Sequence, residues 1–150
     1  MPAQKNEDKE FLRKICRDVE SVYDETGKLR LERNCVGRAE CCQFSLTGRT
    51  PYLTKGEAIV AARAWKATGR KLLPQKKDGS CPFLDDSHKC MIYAARPFGC
   101  RTHFCAAAGG PYARKQVIHL IRTLEQIDLV CGGEGALPLE TAIEKTGLLD

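Results

Sequence analysis

Seven of the nine cysteines are concentrated in two short segments of the chain. The first segment, residues 35–42, reads CVGRAECC, and the second, residues 81–105, reads CPFLDDSHKCMIYAARPFGCRTHFC. Thiolates that converge from separate short segments bind zinc or iron, and paired thiols form disulfides. The residue types and their clustering therefore leave two kinds of chemistry open, metal binding and disulfide formation.

Composition and the N-terminal sequence favour metal binding. The chain has 150 residues, of which 43% are hydrophobic and 29% charged, so it has no need of disulfides to compensate for a small core. The first residues, MPAQKNEDKEFLRK, lack an apolar signal core, and no run of about 18 apolar residues occurs. We therefore expect a cytoplasmic protein without a membrane segment, whose thiols stay reduced. An odd number of cysteines also fits poorly with a closed disulfide set.

The cysteine spacings match no standard metal-binding motif. They are Cys35-x5-Cys41-Cys42 and Cys81-x8-Cys90-x9-Cys100-x4-Cys105. The C-x2-C of zinc ribbons and the ferredoxin runs are both missing from this pattern. Adjacent Cys41 and Cys42 point in different directions, so either one ligates while the other packs, or the pair serves two metals. Zinc, iron and an iron–sulfur cluster all stay open, as does the number of sites.

Four further residues are candidates for completing or supporting a metal site. Arg96 and Arg101 flank Cys100. Four thiolates around a divalent ion carry a net charge of about −2, which guanidinium groups would offset. The alternative is that both arginines are ordinary surface residues. His103 is either a fourth ligand or a hydrogen-bond donor to the ligands, and Cys131 either contributes to the metal region or packs in the core.

Other function classes have weaker support in the sequence. No HExxH motif or hydrolase serine motif occurs, and Asp85 and Asp86 lie on an expected exposed turn, so no catalytic residue is assigned and an enzymatic activity stays open. The net charge is +5, but its densest basic patch reads as a solvated loop: Arg70, Lys71, Lys76 and Lys77. A nucleic-acid surface is disfavoured because it needs a longer basic stripe or interleaved aromatic residues. Protein partners and oligomeric state are not predicted.

Four stretches predict helices that position the cysteine segments. Residues 6–26 carry apolar residues at helical spacing, and Cys16 lies on their apolar side, where we expect a core residue and not a ligand. Thr54 and Glu57 form a capping box that begins a helix ending near Thr68. A long helix is predicted over residues 111–130 and a short one over residues 139–145.

The second cysteine segment predicts a β-hairpin. CPFL and KCMIY flank the polar tetrapeptide DDSH, as in a short hairpin. If Leu84 pairs with Lys89, the thiols of Cys81 and Cys90 lie on one face of the ribbon. Residues 94–97, ending at Pro97, then form a tight turn or one turn of helix that brings Cys100 back. We therefore expect these three cysteines to share one metal.

The segment CPFL…KCMIYAARPFGCR resembles the signature of the YkgJ-type cysteine-cluster family. Those bacterial proteins are described as zinc- or iron-chelating, with the pattern CxxCxxCC followed by CPFL-x-C-x-IY-x-x-RP-x-x-CR. The resemblance covers residues 35–105, and Arg38 stands where the family has its second cysteine. Cys105, His103 and Cys131 are the residues that could compensate. Similar proteins are often labelled iron–sulfur proteins, and the signature also occurs in a flagellin lysine methylating enzyme, so the resemblance implies metal binding without specifying a reaction.

Together these observations predict one domain over residues 1–150 that is mainly α with one small β-hairpin. Metal-stabilised cysteine loops, in the cluster region 35–105, would pack on three or four helices. The first functional hypothesis is a cytoplasmic protein that holds zinc or iron. Its ligands would be Cys35, Cys41, Cys42, Cys81, Cys90, Cys100 and Cys105. The alternatives are an iron-dependent oxidoreductase or electron carrier, and a zinc-stabilised interaction or nucleic-acid-binding module.

Overall fold

The computed structural model describes residues 2–28, 51–76, 80–87, 89–102 and 114–149, and this part of the chain is mainly helical. Its helices are α1 (Pro2–Gly27), α2 (Lys55–Ala67), α3 (Phe98–Thr102), α4 (Arg114–Val130) and α5 (Leu139–Thr146). Two short strands, β1 (Tyr52–Leu53) and β2 (Leu137–Pro138), pair antiparallel. The predicted fold class, mainly α with a small antiparallel β element, is confirmed.

Helix α2 lies at the centre of the core and is buried on two sides. On one side, Ile59 and Val60 pack with buried residues of α1 and α4. On the other side, three alanines and Trp65 pack with α5 and with the second cysteine segment. The small side chains of α2 allow both neighbours to approach closely. The Cys81–Cys90 region and the helices α1 and α4 therefore contact opposite sides of the same helix.

Local sequence signals correctly predicted where helix α2 begins. Helix α2 starts after Thr54, whose backbone N–H donates to the Glu57 carboxylate at 3.1 Å, as the capping box requires. Helix α1 starts at Pro2, earlier than the predicted residue 6. Cys16 is 8% exposed among the core residues of α1, which confirms that it packs in the core.

The predicted hairpin is present as an isolated antiparallel bridge, and its register differs from the prediction by one residue. Leu84 pairs with Cys90 and not with Lys89. The Asp85 N–H donates to the Lys89 carbonyl at 2.9 Å, and the Met91 N–H donates to the Phe83 carbonyl at 2.8 Å. The cause is the Asp85 side chain: its Oδ1 accepts the N–H groups of Ser87 and Lys89, which fixes the length of the turn.

This register removes the argument that placed Cys81 and Cys90 on one ribbon face. The Leu84 N–H donates to the Cys81 carbonyl at 3.1 Å, so Cys81 belongs to a turn and not to an extended strand. The alternation of side chains along a strand therefore does not extend to Cys81.

The pairing of β1 with β2 was not predicted. Tyr52 lies opposite Pro138 and Leu53 opposite Leu137, and the Leu139 N–H donates to the Pro51 carbonyl at 3.0 Å. These contacts join the start of α2 to the start of α5. None of the described helices is long and apolar enough to cross a membrane.

Candidate metal centre

The structure describes three of the seven predicted ligands, Cys81, Cys90 and Cys100. The other four predicted ligands lie outside the described residues: Cys35, Cys41, Cys42 and Cys105. His103 also lies outside them. The part of the predicted site that the structure shows therefore consists of these three cysteines and the residues packed around them.

Cys81 and Cys90 pack against the same side of the core. Cys81 is 4% exposed and lies in the cluster that includes Trp65 and Phe83, whose rings are 5.4 Å apart. Cys90 is half-buried and packs against this cluster. The Lys76 ammonium donates to the Leu84 carbonyl at 2.9 Å, which ties the preceding connector to the bridge. The Cys81 thiol is free, so these two residues are not joined as a disulfide.

Cys100 lies on α3, whose first residue, Phe98, contacts the opposite side of the core. A 3-10 turn at Tyr93–Ala95 precedes Pro97, which confirms the predicted turn, and the Cys100 N–H donates to the Pro97 carbonyl at 3.0 Å. Phe98 at the start of α3 packs with residues of α1 and α4. The short helix α3 itself was not predicted, and it carries Cys100 as a half-buried residue.

Arg101 is held firmly beside Cys100. Its Nε donates to the Arg96 carbonyl at 2.7 Å and its Nη2 to the Ala94 carbonyl at 2.6 Å, while the guanidinium carbon lies 4.1 Å from the centre of the Tyr23 ring. Burial lowers the pKa of Arg101, and the negative charge of Asp24 acts in the opposite direction, as does that of Cys100. A cation therefore lies within electrostatic range of the Cys100 sulfur.

Arg96 is held in a different way. Its guanidinium carbon lies 3.8 Å from the centre of the Tyr93 ring, and its Nε donates to the Tyr93 carbonyl at 3.0 Å. This local contact holds the side chain against the exposed Tyr93. The predicted role of both arginines, offsetting thiolate charge, stays a prediction, and Arg101 is the better placed of the two.

Glu57 makes buried hydrogen bonds beyond the capping box, and these were not predicted from the sequence. It is 2% exposed, and its Oε1 accepts the Phe98 N–H at 2.7 Å and the Tyr23 hydroxyl at 3.2 Å. Its Oε2 accepts both the N–H and the hydroxyl of Thr54 at 3.1 Å. The capping box predicted the Oε2 contacts, but no local signal predicts the contacts of Oε1 because their donors come from distant segments.

Burial shifts the pKa values of both Glu57 and Tyr23. Burial raises the pKa of Glu57 above its ordinary value, and the hydrogen bonds from Phe98 and Thr54 oppose that rise. Burial also raises the pKa of Tyr23 well above its ordinary value, and the negative charge of Glu57 adds to the effect. Tyr23 therefore remains a hydroxyl donor to Glu57.

Cys131 packs against the core at the end of α4, and its predicted part in the metal region stays a prediction. Its thiol donates to the Ile127 carbonyl at 3.0 Å, at the end of α4, and the residue packs against the core of α1, α2 and α4. Burial and the charge of Asp128 raise the pKa of the Cys131 thiol above its ordinary value.

The described residues do not form a complete metal site by themselves. Among them, no three side chains of histidine, cysteine, aspartate or glutamate converge closely enough to hold an ion. Cys81, Cys90 and Cys100 therefore do not meet as a three-ligand group in this structure. The donor chemistry nevertheless fits zinc or iron, because partly buried thiols are soft ligands that both metals accept in proteins.

Comparison with protein families supports metal binding. A sequence model of the CxxCxxCC family, described as "Putative zinc- or iron-chelating domain", matches residues 33–131. A comparison with curated proteins finds no match, and neither does a comparison with solved structures. The matched range includes all the predicted cysteine ligands, Glu57 and Arg101.

Proposed function

Because this chain belongs to the CxxCxxCC family of zinc- or iron-chelating domains, we propose that it binds zinc or iron through its clustered cysteines. The observation that carries the proposal is the family match over residues 33–131, which spans both cysteine segments. Cys81, Cys90 and Cys100 are the ligands that the described residues offer. The remaining ligands come from Cys35, Cys41, Cys42 and Cys105.

The surroundings of the three described cysteines support this role. All three are partly or fully buried, so their thiolates would lie where water competes weakly for a metal. Arg101 provides a fixed positive charge near Cys100, which would offset the negative charge of a thiolate ligand. Bound metal would join segments that contact opposite sides of α2, and in this way it would add to the stability of the fold.

The finer form of the proposal is a cytoplasmic protein whose iron, when iron is the metal, is held as an iron–sulfur cluster. Cysteine thiolates are the usual ligands of such clusters. A single zinc ion bound by four thiolates has the same ligand chemistry but no redox activity. The two forms differ in colour and in inorganic sulfide content, which makes them easy to separate.

The experiment is purification without oxygen, followed by elemental analysis, sulfide determination and an absorption spectrum. We expect zinc or iron at a fixed ratio to protein. Iron with an equal amount of sulfide and a brown colour identifies a cluster, and a colourless zinc protein identifies a zinc site. A protein that contains neither metal, and that takes up neither after reduction and reconstitution, would show that the proposal is wrong.

A further inference from the structure

Glu57 joins three separate segments of the chain through one buried carboxylate. Tyr23 on α1, Thr54 before α2 and Phe98 at the start of α3 all donate hydrogen bonds to it. The shortest of these, 2.7 Å, comes from the backbone of Phe98, two residues before Cys100. The carboxylate therefore fixes the backbone that carries Cys100, not merely a neighbouring side chain.

Arg101 closes a ring of contacts around Cys100. Glu57 holds Phe98, α3 leads from Phe98 to Arg101, and the guanidinium of Arg101 lies over the Tyr23 ring. The hydroxyl of Tyr23 then returns to the same Glu57 oxygen that accepts the Phe98 N–H. Arg101 also donates to the backbone carbonyls of Ala94 and Arg96 before Pro97, while Glu57 holds Phe98 after it.

Helix capping alone does not explain this arrangement. The capping box requires the contacts of Oε2 with Thr54, but it does not require the contacts of Oε1 with Phe98 and Tyr23. Burying a carboxylate has a large desolvation penalty, and an apolar side chain would fill the same space without it. What a carboxylate adds is directional hydrogen bonding, which places the start of α3 at one position.

We propose that Glu57, Tyr23 and Arg101 are positioning residues that hold Cys100 in the place that metal chelation requires. This inference rests on the proposed function, since it assigns the three residues to the same metal site. They do not ligate the metal. They act on the backbone and on the charge next to one ligand, as hydrogen-bonding partners of metal ligands commonly do.

Asp128 provides a matched control for Glu57. It is also a buried carboxylate, and it also accepts backbone N–H groups, from Lys55 at 2.8 Å and Gly135 at 2.9 Å. Lys55 is the first residue of α2, so both carboxylates fix the same end of that helix. Neither partner of Asp128 belongs to the segment that carries Cys100.

The test compares wild type, Glu57→Gln, Tyr23→Phe and Asp128→Asn under conditions where each variant is folded. Metal affinity is measured by competition with a chelator. We expect Glu57→Gln to weaken metal binding about tenfold or more, as outer-shell changes commonly do. Tyr23→Phe keeps the ring beneath Arg101, so it should weaken binding less but in the same direction. Asp128→Asn should change the affinity by less than about twofold, because its partners lie elsewhere.

A second readout needs no bound metal. In the metal-free protein, N-ethylmaleimide labelling of Cys100 is measured relative to Cys90 by mass spectrometry. Glu57→Gln should raise this ratio several-fold, and Asp128→Asn should leave it unchanged. If the two variants change both readouts alike, or if Glu57→Gln changes neither, the inference is wrong. If wild type binds no metal, the proposed function fails, and an unchanged labelling ratio would then refute the positioning role separately.

Discussion

Replacing Gly133 with alanine should disrupt the buried contacts that fix the start of α2. A Cβ atom at this position would lie about 2.0 Å from Asp128 Oδ1 and 2.3 Å from its carboxyl carbon. Contacts this short are impossible, so the Asp128 carboxylate would have to move. That movement would break its hydrogen bonds from the N–H groups of Lys55 and Gly135.

The size of the effect follows from these two hydrogen bonds. A hydrogen bond to a charged group contributes about 1.5–3 kcal/mol, so losing one or both predicts a decrease of about 1.5–6 kcal/mol in the free energy of unfolding. Gly132→Ala is the matched control, because Gly132 has φ +73° and a Cβ added there would meet no atom within 4 Å. Its decrease should reflect backbone strain alone, about 1–2 kcal/mol.

Urea denaturation of Gly133→Ala, Asp128→Ala and the double variant measures the coupling between the two residues. Removing the carboxylate also removes the clash, so the double variant should be more stable than the sum of the single effects predicts, by at least about 1 kcal/mol. Additive effects, or a decrease below about 1 kcal/mol for Gly133→Ala alone, would refute the reasoning from this contact.

Three further predictions concern ionisation, the core and the metal. Burial raises the pKa of Glu57 above 4.5, so its contribution to stability is complete below about pH 4.5 and is lost as the pH rises through the folded-state pKa. The free energy of unfolding of wild type should therefore exceed that of Glu57→Gln by an amount that falls with rising pH, as measured by urea denaturation. A difference that stays constant with pH would contradict this. Cys16→Ala should lower the free energy of unfolding by about 1 kcal/mol without changing the metal content, since Cys16 is a core residue. A loss of metal in this variant would show that Cys16 is a ligand. Stripping metal with a strong chelator should accelerate hydrogen exchange in residues 89–102 but not in Arg114–Val130, and equal exchange before and after verified removal would mean that the metal is not structural.

The helices could be predicted because their signals are local. Apolar residues at helical spacing predicted α1 and placed Cys16 in the core, and the Thr54–Glu57 pair predicted the start of α2. Each of these signals lies within a few residues of the structure that it determines. The family resemblance, based on the second cysteine segment, was confirmed by the match over residues 33–131.

The remaining features depend on contacts between distant residues or on one side chain. The pairing of β1 with β2 joins segments far apart in sequence, and neither strand has a periodicity of its own. The bridge register was predicted one residue away from its actual position because the Asp85 carboxylate binds two backbone N–H groups of the turn. The contacts of Glu57 with Tyr23 and Phe98 likewise exist only in the folded chain.

The most direct test of metal chelation by the clustered cysteines is the number of metal ions per chain in Cys90→Ser compared with Cys16→Ala. Both proteins are purified without oxygen, beside wild type, and analysed for zinc and iron. Wild type and Cys16→Ala should contain the same amount of metal, because Cys16 packs in the core and is not a ligand. Cys90→Ser should lose that metal. Equal metal content in Cys90→Ser and wild type, or no metal in wild type, would contradict this function.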